Sequence, residues 1–153
     1  MKKSLGLSLI AVAISIFYFS KSFAQMPEPV HLTFSYEQET SKDATLSITA
    51  QIDQHWHIFS LDHKADIGLP LLIVFNKDEK NYSLNGETSQ PTPELAFDSL
   101  TNSHLKYFSN EVTFKQKIKI KSQTGFQIKG VFTYQACNEE DACHRQMLNL
   151  LLM

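Results

Sequence analysis

Apolar and polar residues alternate with period two along most of the chain, the signature of half-buried β-strands. Leu32, Phe34 and Tyr36 alternate with Thr33, Ser35 and Glu37. Leu46, Ile48, Ala50 and Ile52 alternate with Thr45, Ser47, Thr49 and Gln51. A shorter segment sets Trp56, Ile58 and Ser60 against His57 and Phe59, which predicts Trp56 in the core with His55 and His57 on the solvated side. Residues 71–75 form an unbroken apolar run and predict a strand buried on both faces. Val112, Phe114, Ile118 and Ile120 face inward, while Lys115, Lys117, Lys119 and Lys121 form a solvated face that discourages edge-to-edge association. After a turn at Gly125, Phe126, Ile128, Gly130, Phe132 and Tyr134 alternate with Gln127, Lys129, Val131 and Thr133. An apolar stretch at residues 147–152 ends the pattern.

Seven or eight short strands, with no helical stripe among them, predict an all-β protein built as an antiparallel β-sandwich. Two segments read as long loops: residues 61–70, with Gly68 and Pro70, and residues 87–110, with Pro91 and Pro93. Loops of that length in a compact domain often carry function.

The N-terminus reads as a cleaved secretory signal over residues 1–24. Lys2 and Lys3 precede an apolar run at residues 5–19, and Ser22-Phe23-Ala24 supplies the small-x-small cleavage pattern. That run is shorter than the ~18 residues of a spanning helix. Cleavage would leave residues 25–153, enough for one domain with its own core. The removed segment holds Lys2, Lys3 and Lys21 and no acid, so the formal charge moves from −2 to −5, with 11 basic against 16 acidic residues. An acidic surface gives no reason to expect nucleic acid or anionic lipid as a partner. No second long apolar segment exists, so the mature chain is expected to be soluble, without a membrane span.

Export changes the meaning of the only two cysteines, Cys137 and Cys143, because both reach a compartment where disulfides persist. Five residues separate them. A ring of about 7 residues contributes roughly 2.4 kcal/mol in the chain-entropy model, against about 4.7 kcal/mol for a loop of about 100 residues. The pair is a weak staple, which favours a bond meant to open and close over one that ties a hairpin. Both readings stay open: a redox pair, or an exported β-sandwich binding module with a purely structural disulfide. The surroundings differ between the two sulfurs. Glu139, Glu140 and Asp141 lie between them and disfavour a thiolate, whereas His144 and Arg145 follow Cys143 and favour one. Cys143 is therefore the expected attacking thiol and Cys137 the resolving one.

Other candidates carry less. His55 and His57 share a strand face and, with Cys143 and His144, include donor types that suit a soft metal. Flanking a core Trp56, they read instead as solvent-side residues, so neither a metal nor a cofactor is expected. No nucleophile-elbow or Cys-His hydrolase signature is present. Phe97-Asp98 and Tyr107-Phe108 place aromatics in or beside the second long loop, where they either pack or cover the cysteines.

The order of several landmarks resembles a known family. They are His55-Trp56-His57-Ile58-Phe59-Ser60, Gly68-Leu69-Pro70, Tyr107-Phe108 leading into Glu111-Val112-Thr113-Phe114, and Gly130-Val131-Phe132-Thr133-Tyr134-Gln135-Ala136-Cys137 followed by Cys143. Together they are similar to the amino-terminal periplasmic domain of the thiol:disulfide interchange protein DsbD. The resemblance implies an immunoglobulin-like sandwich at residues 25–153 and a periplasmic location. It also implies a protein-disulfide reductase-like electron relay through Cys137 and Cys143, with Cys143 contacting partners. A cap loop with an aromatic side chain, Phe97 or Tyr107, would shield the pair. Electrons would come from a separately encoded membrane reductase and pass to periplasmic thioredoxin-like or disulfide isomerase-type proteins. Prolines usually follow the second cysteine in that family, and His144-Arg145-Gln146 stand there instead.

Overall fold

The strand pattern is realised as ten strands in a computed structural model that describes residues 28–64, 67–99, 102–138 and 143–152. The expected signal segment, residues 1–24, lies outside the described residues, as do residues 139–142. The strands are β1 (Val30–Gln38), β2 (Asp43–Ile52), β3 (Trp56–Phe59), β4 (Leu72–Phe75), β5 (Tyr82–Leu84), β6 (Glu94–Asp98), β7 (Ser103–Ser109), β8 (Glu111–Ile120), β9 (Ile128–Asn138) and β10 (Cys143–Leu152). One sheet runs β1-β2-β8-β5. The other runs β10-β9-β3-β7-β6, with β4 added beside β3 along the same edge of β9. All pairings are antiparallel.

The two sheets close over a shared core as an immunoglobulin-like β-sandwich. Leu46, Ile48, Phe114 and Ile118 come from the first sheet, and Ile58, Phe108, Phe132 and Tyr134 from the second. Phe114 joins the layers, its ring meeting Phe108 at 5.9 Å and Phe132 at 5.8 Å, both edge to face. Each such side chain, once fully buried, contributes about 1.5–3 kcal/mol by leaving water. The inward set expected on β2 and β8 is buried except for Ile120, which is half-buried, and Lys115, Lys117, Lys119 and Lys121 are all exposed. Gln116 breaks the apolar row of β8, yet it is buried and satisfied. Its Nε2 donates to the carbonyls of Gly86 and Lys117, and its Oε1 accepts from the Thr88 hydroxyl.

Three expectations change. Residues 87–110 do not form one long loop: β6 and β7 make a hairpin inside it, with Glu94 opposite Tyr107 and Asp98 opposite Ser103. Their alternation is weak because the hairpin lies at the sheet's edge. Residues 71–75 are not buried on both faces. Leu72 and Val74 are 54% and 48% exposed, because β4 is a short edge strand that pairs only with β9 and nothing covers its outer face among the described residues. Finally, Trp56 is half-buried against the core, and its neighbour His57 is half-buried rather than solvated.

Candidate functional site

Strand register brings the two cysteines together. Cys143 opens β10 directly opposite Cys137 near the end of β9, with Cα atoms 4.1 Å apart, and the sulfurs are joined as a disulfide. Direct cross-strand partners share a sheet face, and the same row continues across the sheet: Cys137 is opposite His57 on β3, and His57 is opposite Ser109 on β7. The core side of these strands is taken by Ala136, Ile58 and Phe108. The disulfide therefore lies on the outer face of the six-stranded sheet.

The two sulfur-bearing residues differ in access. Cys137 is 3% exposed, whereas Cys143 is exposed. A partner arriving from solvent reaches Cys143 first. The acidic residues 139–141, expected to disfavour a thiolate near Cys137, lie outside the described residues.

Aromatic and imidazole rings gather on the strands that carry the pair and on their neighbours. The Trp56 ring lies 5.8 Å from that of His144. His57 meets Tyr107 at 5.2 Å and Phe59 at 5.7 Å, both edge-on. Beside it opens a cleft of about 260 Å³ lined by His55, Trp56, His57, Tyr107, Ser109 and neighbours. His55 and Asn110, at the two turns bordering the cleft, adopt left-handed φ of 68° and 62°. Both residue types tolerate that region better than branched side chains.

Of the two aromatics expected over the cysteines, the structure brings Tyr107 into contact with His57, the cross-strand neighbour of Cys137. Phe97 is 56% exposed and pairs with His104 at 5.2 Å. Residues 100–101, between them, lie outside the described residues.

The other long loop supports the same sheet face, which the sequence did not reveal. Gly68 packs against the Phe59 ring, His63 stacks on it at 4.3 Å, and the Leu69 N–H donates to Gln135 Oε1 at 2.8 Å, two residues before Cys137. Nδ1 of His63 accepts the Lys106 N–H at 3.3 Å, and its Nε2 bonds the Ile67 carbonyl at 2.8 Å. Asp62 gathers Ser60, Gln90 and Lys106, and these hydrogen bonds, with that of Lys106 the strongest, hold its carboxyl down at about 2. Period-two patterning cannot show such contacts, since they arise from a loop folding back over the sheet. No group of three or more metal-ligating side chains occurs among the described residues.

The fold is shared with solved structures, three of which follow. The N-terminal domain of DsbD from Neisseria meningitidis, in its reduced form, is 13% identical. The match covers 87% of this chain and 93% of that one at a TM-score of 0.53. The N-terminal periplasmic domain of ScsB from Proteus mirabilis is 16% identical over 86% of this chain and 49% of that one, at a TM-score of 0.60. A structure of the complex between the DsbD and PilB N-terminal domains of Neisseria meningitidis matches at 13% identity, with 84% and 86% covered and a TM-score of 0.51. No curated protein matches by sequence. A family model described as the N-terminal part of the thiol:disulfide interchange protein DsbD matches residues 24–152, and with that span the chain belongs to the DsbD N-terminal domain family.

Proposed function

We propose that the domain is a periplasmic thiol–disulfide exchange relay that passes two electrons through Cys137 and Cys143 to oxidised thiol proteins. The observation that carries this reading is the unequal access of two directly opposed cysteines in a member of this family.

The chemistry starts from the reduced pair. The Cys143 thiolate attacks one sulfur of a partner disulfide, forming a mixed disulfide and expelling the partner's other sulfur as a thiolate, which takes a proton. Cys137 then loses its proton and attacks Cys143 Sγ. The intermolecular bond breaks, the partner leaves as a dithiol, and the Cys137–Cys143 disulfide remains. A dithiol on a membrane reductase reverses the sequence and resets the domain. Neither metal nor cofactor enters these steps. Thioredoxin-like proteins are the proposed partners, because the exposed Cys143 is open to a disulfide on another protein's surface. The solved complex of a related domain with the PilB N-terminal domain shows that the fold can dock another protein domain. The first 24 residues, read as a signal, would deliver the chain to the periplasm.

The decisive measurement is the equilibrium of the purified protein with a thioredoxin-like dithiol. The relay requires reduction in the native fold, at a potential above about −300 mV. A bond that stays closed, or a potential below that figure, marks a structural staple and ends this reading.

A further inference from the structure

We propose that His57 is the proton acceptor for Cys137 in the resolving step and its proton donor in the reset; this rests on the exchange reading above. Cys137 is 3% exposed, so its thiol has little direct contact with water to which it could release a proton. An attacking thiolate is nevertheless required. The residue directly opposite on the neighbouring strand is His57. Such partners have Cβ atoms about 4.5–5.5 Å apart, within reach of an imidazole.

His57 also has an outlet. Its side chain lines the open cleft of about 260 Å³ that it shares with Tyr107 and Ser109, so a proton taken from the buried sulfur can pass to solvent. The rings of Tyr107 and Phe59, direct cross-strand partners, both contact the imidazole edge-on. Several charged and titratable groups face it among the described residues. They are the Tyr107 phenol on β7, the Glu94 carboxylate on β6, whose Oε1 accepts the Ser109 N–H, and Cys137 and Cys143 on β9 and β10. His55 enters from the preceding turn, whereas His144 is opposite Ala136, in the row of the other sheet face. Among the described titratable residues, His57 combines a position beside Cys137 with a wall of the cleft.

In the resolving step the Cys137 S–H bond breaks and its proton moves to His57. The freed electron pair forms the bond to Cys143 Sγ, the bond from Cys143 to the partner breaks, and His57 returns its proton to water. The reset runs the same transfer backwards, with His57 protonating Cys137 as it leaves.

The test uses the reduced mature domain and an aromatic disulfide reagent that releases a coloured thiolate at each of two stages. The first release reports attack by Cys143, and the second reports closure by Cys137. In the wild type the second phase should show a pH inflection that the first phase lacks. His57→Gln should slow the second phase at neutral pH by roughly a hundredfold, at the low end of what a positioned proton acceptor contributes. It should also remove that inflection while leaving the first phase alone. Free imidazole, small enough for the cleft, should restore the second phase in His57→Ala. A second phase that keeps its wild-type rate and pH profile in His57→Gln, or a wild type without the inflection, overturns the assignment. A wild type that never gives the second release defeats the exchange reading itself, so the two failures are distinct.

Discussion

Gly68 stands where the ring of Phe59 leaves no room for a side chain: a Cβ at Gly68 would lie 2.4 Å from two ring carbons. Its φ of +80° is also one that residues with a Cβ rarely adopt. This contact holds Gly68 on the outer sheet face, next to Leu69, which bonds Gln135 on the strand that carries Cys137. Gly68→Ala should cost about 1–3 kcal/mol from overpacking added to backbone strain. Gly86→Ala separates the two causes, because Gly86 has the same φ of +80° with open space around it. Melting curves of the oxidised proteins should show the larger loss at Gly68. Equal losses would mean that the ring contact contributes nothing.

Asp62 predicts a specific acid sensitivity. Its carboxyl is held at about 2 against an ordinary 3.8, first by the hydrogen bond from Lys106 and then by that from Ser60. A depressed carboxylate contributes stability that is complete above its unfolded value and lost as pH falls through its folded one. The window is therefore the drop from 3.8 toward about 2. Asp62 and Lys106 side chains are 48% and 39% exposed, so solvent limits the effect to under about 1 kcal/mol. Urea midpoints measured across that window should fall more steeply for the wild type than for Asp62→Asn. Parallel slopes would remove Asp62 from the account.

The cysteine variants should behave asymmetrically. Cys137→Ser leaves the exposed sulfur, so mixed disulfides with a thioredoxin-like partner should accumulate on Cys143. Cys143→Ser leaves a thiol that is 3% exposed, which should alkylate slowly and trap little. Mass spectrometry of the adducts decides the matter: trapping through Cys137 alone reverses the assigned order of attack. Because the ring is short, reduction of the wild type should cost only about 2 kcal/mol. The reduced form should therefore keep its strand signature in circular dichroism.

The sequence revealed the sheets well because each core strand carries its own evidence. Leu46, Ile48 and Ala50, like Val112, Phe114 and Ile118, alternate cleanly and are buried as expected. The cysteine pair was equally readable, since five intervening residues suit a hairpin whose two ends face each other. Edge elements were harder. The β6–β7 hairpin buries little beyond Phe108, so its alternation looked like loop. Leu72 and Val74 looked like core because hydrophobicity alone does not say whether anything lies above them. The place of His57 could not be read from the chain at all: its neighbours Cys137 and Tyr107 depend on the register of three strands distant in sequence.

Gly130 sets how closely β4 approaches β9. A Cβ there would lie 2.5 Å from the Val74 carbonyl oxygen and 3.2 Å from Phe75 Cα, and backbone cannot turn aside as a side chain can. Gly130→Ala should therefore push β4 off the edge of β9 and uncover Leu71 and Phe75, which are both buried. Overpacking of this kind costs about 1–3 kcal/mol. Gly125→Ala is the control, since nothing lies within 4 Å of its added carbon. It should be neutral or slightly stabilising through a less flexible unfolded chain. The consequence reaches the redox face, because β3 pairs with the same edge of β9 immediately beyond β4, at Ala136 and Cys137. Amide hydrogen exchange of Gly130→Ala should be faster along residues 72–75, with a smaller increase at residues 56–59. Unchanged protection in both segments would show that β4 accommodates the methyl group, and that the close approach at Gly130 is not what holds this edge in register.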